Sequence, residues 1–237
     1  SLKGNAVVMY PDTLIRVDET FDKSSDVVIW TKQVENPEAY GVVRLNSNKE
    51  IIDLVEKPLT FISDLAVIGI YYFKEISQLK NQLEIVIANN KMNSGEFQIN
   101  DGLLAMMKNG KKFSAGKVIE WLDCGDVKKA IIANKKMLAF MLEDKGGLIS
   151  KNTDTINSKI IPPCFIADNV IIKNSKIGPY VSIGSGSEVL DSRISNSIIQ
   201  INSKIKNANI ENSMIGNNCK YNGKGKQINI GDFSELI

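Results

Sequence analysis

The hydrophobic positions of this chain follow two different periods, and the change falls near residue 147. Before it, compact apolar runs alternate with longer amphipathic stretches, a pattern typical of strands interleaved with helices. This interleaving indicates an α/β layer structure with a mostly parallel sheet. The runs predict strands over 5–10, 27–31, 40–45, 50–55 and 66–73, and helices over 75–88, 102–108 and 127–142.

Beyond residue 147 an aliphatic residue returns every five or six positions. This spacing fits neither a strand nor a helix, but it is typical of hexapeptide repeats, in which each short strand forms one side of a triangular coil. A disordered tail would not keep this phase. We therefore predict a left-handed parallel β-helix over 148–237, after an α/β domain over 1–147. The repeating positions are Ile166, Ile172, Ile177, Ile183, Val189, Ile194, Ile199, Ile205, Ile210 and Ile215.

Glycines mark the expected corners of these coils. Gly178, Gly184 and Gly216 each follow an aliphatic repeat residue, and the segment 185–187 is predicted to be a further corner. Stacked flat coils offer a broad apolar face for self-association, so we expect a homo-oligomer, with the end of the helix at Tyr221 as a candidate contact.

Composition and charge narrow the classes of function. The net charge of +2 gives no field that favours nucleic acid or an anionic membrane, and no apolar run is long enough to span a bilayer. We expect a cytoplasmic protein with reduced cysteines. The chain has no histidine, which excludes a Ser-His or Cys-His nucleophile pair and a histidine base.

Two aspartates are candidate metal ligands. Asp12 follows the first predicted strand, where open sheets commonly bind ligands, although a turn or helix-cap aspartate is an equal alternative. Asp123 ends another predicted strand. Together the two carboxylates would bind one divalent cation.

Two polar segments are candidate ligand-binding loops. Gly41 would let a ligand approach the backbone, and Glu56 beside Lys57 offers a hydroxyl acceptor next to a phosphate donor. The alternative is a solvated strand end. The segment 94–101, taken alone, is most simply a helix cap.

The order and spacing of five motifs carry a resemblance to a known family. They are Val34 to Val43 (VENPEAYGVV), Val55 to Pro58 (VEKP), Ala66 to Tyr71 (AVIGIY), Gly95 to Gln98 (GEFQ) and Trp121 to Gly125 (WLDCG). From about Asn5 to Phe140 the chain resembles the sugar-phosphate nucleotidyltransferases, in particular the glucose-1-phosphate thymidylyltransferase-like members. The resemblance implies the C-terminal part of a Rossmann-like nucleotidyltransferase domain, and many such enzymes carry a C-terminal left-handed β-helix.

The resemblance also implies a reaction and roles for residues. A sugar-1-phosphate attacks the α-phosphate of a nucleoside triphosphate and releases pyrophosphate, assisted by Mg²⁺. Glucose-1-phosphate with dTTP is the leading pair, and other hexose-1-phosphates, or UTP, ATP or CTP, stay open. Asp12 and Asp123 match the metal-binding aspartates, and Lys57 the lysine on the sugar phosphate. The implied substrate-binding residues are Gly41, Glu56, Lys57, Ile68 through its backbone, and Glu96.

The family's glycine-rich nucleotide loop has no counterpart in this sequence, so we expect the natural protein to be longer and this chain alone to be inactive. Two alternatives stay open. One is a non-catalytic regulatory or scaffold subunit of the same fold, and the other is a hexapeptide-repeat acyltransferase, whose usual histidine base is missing here.

Overall fold

The fold was obtained as a computed structural model that describes residues 2–17, 21–22, 24–90, 95, 97–144 and 148–236. The chain divides into two compact units, Ser1–Leu122 and Asp123–Ile237. The sequence-based domains at 1–147 and 148–237 mark a change in composition instead, and they remain a prediction.

The first unit is a mixed α/β structure. Its strands are β1 (Ala6–Met9), β2 (Thr13–Arg16), β3 (Val27–Gln33), β4 (Gly41–Leu45), β5 (Ile51–Glu56), β6 (Leu65–Phe73), β7 (Phe113–Lys117) and β8 (Glu120–Asp123), the last of which ends one residue into the second unit. Its helices are a 3-10 turn (Pro37–Ala39), α1 (Ile76–Ala88) and α2 (Ile99–Lys108).

The main sheet has the order β5-β4-β6-β3-β7, and β1 also pairs with β6. A second, two-stranded sheet joins β2 and β8. Among the described residues of the main sheet, only β3 and β7 pair in parallel, whereas β4 with β5, β4 with β6, β3 with β6 and β1 with β6 are antiparallel. The prediction of a mostly parallel sheet was therefore wrong. The short connection between β4 and β5 forces a hairpin, and only the long, helix-containing connection from β6 to β7 returns a strand in a parallel direction beside β3.

Each face of the main sheet buries its own apolar cluster. One cluster contains Ile29, Leu54, Phe73, Leu103 and Phe113, so α2 and α1 cover this face. The other contains Val28, Trp30, Ile68 and Ile70. Alternate residues of β3 and β6 enter opposite clusters, as the two-residue period of a strand requires.

The second unit is a parallel β-solenoid of about five turns preceded by helix α3 (Val127–Asp144). Its three ladders are β10-β13-β16-β19, β11-β14-β17-β20-β22 and β23-β21-β18-β15-β12-β9. The strands are β9 (Asp154–Ile156), β10 (Lys159–Ile160), β11 (Cys164–Ile166), β12 (Ile171–Lys173), β13 (Lys176–Ile177), β14 (Val181–Ile183), β15 (Glu188–Leu190), β16 (Arg193–Ser195), β17 (Ser197–Ile199), β18 (Lys204–Lys206), β19 (Asn209–Glu211), β20 (Met214–Ile215), β21 (Lys220–Asn222), β22 (Asn229–Ile230) and β23 (Glu235–Leu236).

The aliphatic repeat forms the solenoid core, as the sequence predicts. All ten repeat residues from Ile166 to Ile215 are no more than 2% exposed. The handedness of the coil stays a prediction.

Buried serines two positions before the aliphatic residue hold successive turns together. The Ser203 hydroxyl accepts the Cys219 amide at 3.0 Å and donates to the Gly216 carbonyl at 2.7 Å. Ser192 likewise accepts the Ala208 amide at 3.0 Å. These contacts satisfy backbone groups that the short strands leave unpaired at the corners.

Asparagine, more than glycine, makes the corners. Residues with positive φ include Asn169, Asn174, Asn202, Asn207 and Asn218, a conformation that asparagine tolerates better than most side chains. Gly178 and Gly186 also have positive φ, as expected of corners, but Gly184 and Gly216 do not. Tyr221 is 3% exposed, so it is a core residue and not the exposed contact predicted from the sequence.

Candidate functional site

An interrupted edge of β6 forms the candidate site in the first unit. β4 and β1 share this edge, with Val42 opposite Ala66 and Met9 opposite Ile70. After β1, the Tyr10 amide donates to the Gly69 carbonyl at 3.0 Å. Ile68 therefore lies in the gap between the end of β1 and the start of β4, and it is itself buried, at 2% exposed.

A bulge in β6 lies at this gap between β1 and β4. Ile29 of β3 pairs with Tyr71 and Thr31 pairs with Val67, so three residues of β6, 68–70, lie opposite the single residue Trp30 of β3. Gly69 takes up the irregularity with a φ of 77°, and a Cβ there would lie 2.7 Å from the Tyr10 ring. Bulges of this kind commonly redirect the backbone next to active sites.

Gly41, Glu56 and Asn100 form a polar group beside the gap between β1 and β4. Gly41 begins β4 and pairs with Glu56 at the end of β5. The Asn100 side-chain amide, in the first turn of α2, donates to Glu56 Oε2 at 2.9 Å. A Cβ on Gly41 would lie 2.7 Å from the same Oε2 atom, so only glycine leaves the carboxylate in this position.

Lys57 follows Glu56 at a turn of the backbone. Its φ is 43°, and its amide donates to the Tyr40 carbonyl at 3.0 Å. Its side chain is exposed. The Tyr40 ring in turn packs edge-on against Trp121, with ring centroids 5.4 Å apart, which fixes the entry to β4.

Two tyrosines link the end of β1 to this group. Burial raises the pKa of Tyr10, a hydrogen bond from Tyr71 opposes this, and the Glu56 and Asp12 charges raise it further. Burial is also the main cause of a raised pKa at Tyr71, and Tyr10 and Glu56 add to it. Both hydroxyls are therefore neutral at physiological pH, and both lie within the electrostatic reach of Glu56.

Asp12 lies in the turn between β1 and β2, as expected from the sequence, and it is exposed. Its carboxylate has one weak contact, from the Thr13 hydroxyl at 3.5 Å. The sequence argument that placed a ligand there relied on a parallel sheet edge. The observed sheet is antiparallel at this edge, so that argument does not hold. Asp12 instead remains a candidate because it follows β1, which borders the gap between β1 and β4.

Asp123 belongs to the second unit, at the end of β8. Its carboxylate accepts the Lys129 ammonium at 2.7 Å and the Gly125 amide at 2.8 Å. Partial burial raises its pKa, but these hydrogen bonds and the Lys129 charge outweigh burial, so the net pKa is lowered. Asp123 is therefore ionised near neutral pH, and a cation already balances its charge.

The residues fit a weakly held Mg²⁺ better than a dedicated metal cage. Within the described part of the chain, no three carboxylates, cysteines or histidines cluster in a metal-binding geometry. Mg²⁺ is commonly held by one or two carboxylates together with substrate phosphates, so an aspartate oxygen is a donor that suits it. The donor chemistry of Asp12 and Asp123 therefore suits this ion.

The structure brings several of the sequence-predicted residues together. Gly41, Glu56 and the Ile68 backbone lie around the gap in β6, and Lys57 is adjacent to Glu56 in the chain. Glu96 lies outside the described residues. Sequence reasoning missed Asn100, because its segment looked like a helix cap, and it missed Tyr10 and Tyr71, which looked like ordinary strand residues.

The fold and the site together define an α/β unit that carries the polar group Gly41, Glu56 and Asn100 and is joined in one chain to a parallel β-solenoid. Residues 2–139 match the family model described as nucleotidyl transferase. The chain belongs to that family.

Curated relatives match across most of the chain. It is 28% identical over 234 residues to a glucose-1-phosphate thymidylyltransferase of Streptomyces antibioticus, covering 92% of this chain and 64% of that protein. It is 28% identical to the bifunctional protein GlmU of Methanococcus maripaludis, covering 93% and 57%. It is 31% identical to a glucose-1-phosphate adenylyltransferase of Bacillus cereus, covering 84% and 56%. The chain thus spans between 56% and 64% of the length of these relatives.

Among the described residues, no helix is long and apolar enough to cross a membrane.

Proposed function

We propose that this chain supplies the sugar-phosphate side of a sugar-1-phosphate nucleotidyltransferase. In the reaction, a phosphate oxygen of the sugar-1-phosphate forms a bond to the α-phosphorus of a nucleoside triphosphate, and the bond to the departing pyrophosphate breaks. The products are a nucleotide sugar and pyrophosphate. The family membership and the Gly41–Glu56–Asn100 group carry this proposal.

The polar group suits recognition of sugar hydroxyls. The Glu56 carboxylate can accept hydrogen bonds from two neighbouring hydroxyls, and the Asn100 amide donates to it at 2.9 Å. Gly41 is proposed to lie at the sugar because a side chain there would displace the Glu56 carboxylate. The Ile68 backbone is a further proposed contact. Glu96 is a further proposed sugar ligand.

Lys57 is proposed to bind the phosphate of the sugar. Its side chain is exposed next to Glu56 and is free to place an ammonium group on a phosphate while Glu56 holds the sugar. Fixing the attacking phosphate in this way accelerates the reaction through positioning, with no covalent role for the protein.

Asp12 and Asp123 are proposed to hold Mg²⁺. When bound, the ion would neutralise negative charge on the phosphate oxygens. Asp123 is kept ionised by Lys129 and the Gly125 amide, which suits a ligand that must be deprotonated at neutral pH.

Glucose-1-phosphate with dTTP is the proposed substrate pair. Two of the three relatives are named for glucose-1-phosphate, and one of these is named for thymidylyl transfer and the other for adenylyl transfer. The names therefore support the sugar more firmly than the base. We further propose that the protein acts in the cytoplasm, a reducing compartment that suits its three free cysteines. We also propose that it is a homo-oligomer and that this chain alone does not catalyse the reaction.

The test measures pyrophosphate release and nucleotide-sugar formation with Mg²⁺, glucose-1-phosphate and each of dTTP, UTP, ATP and CTP. The samples are the 237-residue chain, any longer product of its gene, and Glu56→Gln in each. Turnover with one triphosphate in the longer product, and its loss in Glu56→Gln, is the expected result. If no form turns over any combination, the non-catalytic subunit replaces the enzyme.

A further inference from the structure

One ladder of the solenoid carries three basic residues in register. Lys159 of β10 lies opposite Lys176 of β13, and Lys176 lies opposite Arg193 of β16. All three side chains are exposed. Neighbouring strands lie about 4.8 Å apart, so the first and third cations are separated by about 10 Å along the solenoid axis. We refer to these residues as the basic ladder.

A neighbouring ladder balances its lysines with acidic partners. There Lys204 and Lys220 are also opposite one another. Lys204, however, pairs with Glu188 at 3.1 Å, and Lys220 pairs with Glu235 at 2.6 Å. Within the described residues, the basic ladder has no ion pair of this kind. Like charges directly opposite one another on a sheet are destabilising, so the basic ladder lacks a structural justification of its own.

The basic ladder also lines two adjoining shallow depressions. One, of about 540 Å³, includes all three residues of the basic ladder. The other, of about 430 Å³, includes Lys176, Arg193 and Lys226. Both sizes suit a small molecule. Four basic and two acidic residues, Asp191 and Glu211, line the combined region, so its net charge is positive. The Asp191 carboxylate already accepts the Asn174 side-chain amide at 3.1 Å.

We propose that the basic ladder binds a small molecule that carries two or more phosphate groups. Three cations spread over about 10 Å match separate phosphates better than one compact anion. The planar guanidinium of Arg193 suits two phosphate oxygens at once, and the lysines supply point charges. The small extent of the two depressions favours such a ligand over an extended acidic chain. This site is independent of the sugar-phosphate site proposed in the first unit.

The test uses the whole 237-residue chain and inorganic pyrophosphate as the probe. Binding is measured by calorimetry at low ionic strength without divalent cations, beside inorganic phosphate. Pyrophosphate should bind at least tenfold more tightly than phosphate, and added NaCl should weaken it because exposed charges are screened. Equal affinity for the two anions, or no binding of either, would overturn the proposal.

Variants locate the binding. Lys176→Gln should weaken pyrophosphate binding at least tenfold, and Arg193→Gln gives a second, independent variant should the first fail to fold. Lys206→Gln is the matched control, because Lys206 is an exposed lysine on the neighbouring ladder without an ion pair, and it should bind as the parent does. Loss of binding in Lys57→Gln with retention in Lys176→Gln would assign the anion to the first unit and refute the basic ladder.

Thermal unfolding separates a binding role from a structural one. Without anion, Lys176→Gln should melt at the same temperature as the parent or higher, because one like-charge neighbour has been removed. Pyrophosphate should raise the melting temperature of the parent and of Lys206→Gln, but not that of Lys176→Gln. A lowered melting temperature in anion-free Lys176→Gln and Arg193→Gln would indicate that the ladder only supports the fold.

Discussion

Replacing Gly41 by alanine would separate the sugar-binding role of this position from its role in folding. The new Cβ would lie 2.7 Å from Glu56 Oε2, closer than a carbon and an oxygen can approach without bonding. The strand backbone tolerates alanine, since Gly41 has no positive φ. The carboxylate, which ends a flexible side chain, must therefore turn away and leave the Asn100 amide that it now accepts at 2.9 Å.

The expected effect on binding follows from the hydrogen bonds that move. A hydrogen bond to a charged group contributes about 1.5–3 kcal/mol, and the exposure of Glu56 places this case at the lower end. Since each 1.4 kcal/mol is a factor of ten, the Kd for glucose-1-phosphate should rise about tenfold. The free energy of unfolding should change by less than about 1 kcal/mol, because glycine and alanine differ little in such a strand.

Calorimetry with glucose-1-phosphate and urea unfolding followed by tryptophan fluorescence measure the two quantities. Gly231→Ala is the matched control, since a Cβ at Gly231 meets no atom within 4 Å. An unchanged Kd in a well-folded Gly41→Ala protein would refute the assignment of Gly41 and Glu56 to the sugar.

Three further predictions concern stability. Gly69→Ala should lower the free energy of unfolding by about 1–2 kcal/mol, measured in urea, because alanine is strained at a φ of 77°; an unchanged value would contradict the bulge described here. Ser203→Ala should cost about 1–3 kcal/mol in the same assay, because it leaves the buried Cys219 amide without its acceptor, whereas Lys206→Ala, at an exposed side chain of β18, should cost less. Hydrogen bonds from Ser24 and Ser25 lower the pKa of Asp22 from 3.8 to about 2, so its contribution is fully present above pH 4 and is lost as the pH falls toward 2. Asp22→Asn should flatten this part of the stability profile, and an unaltered slope would show that Asp22 does not contribute.

The solenoid could be predicted because a single feature of the sequence determines it, the regular return of an aliphatic residue. An aliphatic side chain every five or six residues leaves only a short-stranded coil as a way to bury all ten. The serines and asparagines between them were visible in the sequence. Their hydrogen bonds to the backbone of the next turn, however, join residues 13 to 17 positions apart, as between Ser175 and Ser192. Local periodicity does not contain that information.

The first unit shows where local patterns stop being sufficient. Strand positions were predicted to within one or two residues in β3, β4, β5 and β6, because their apolar runs are compact. Their directions were wrong, since neighbours in a sheet depend on connections that a run of hydrophobic residues does not specify. For the same reason Glu56 was identified as a candidate from its own motif, while its partner Asn100, 44 residues away, was not.

The most direct test of the central proposal is a crystal structure of this chain with glucose-1-phosphate bound. The proposal predicts sugar hydroxyls on the Glu56 carboxylate beside Gly41 and the Ile68 backbone, with the phosphate on Lys57. Density for the sugar elsewhere, with the gap between β1 and β4 filled only by water at saturating ligand, would contradict it.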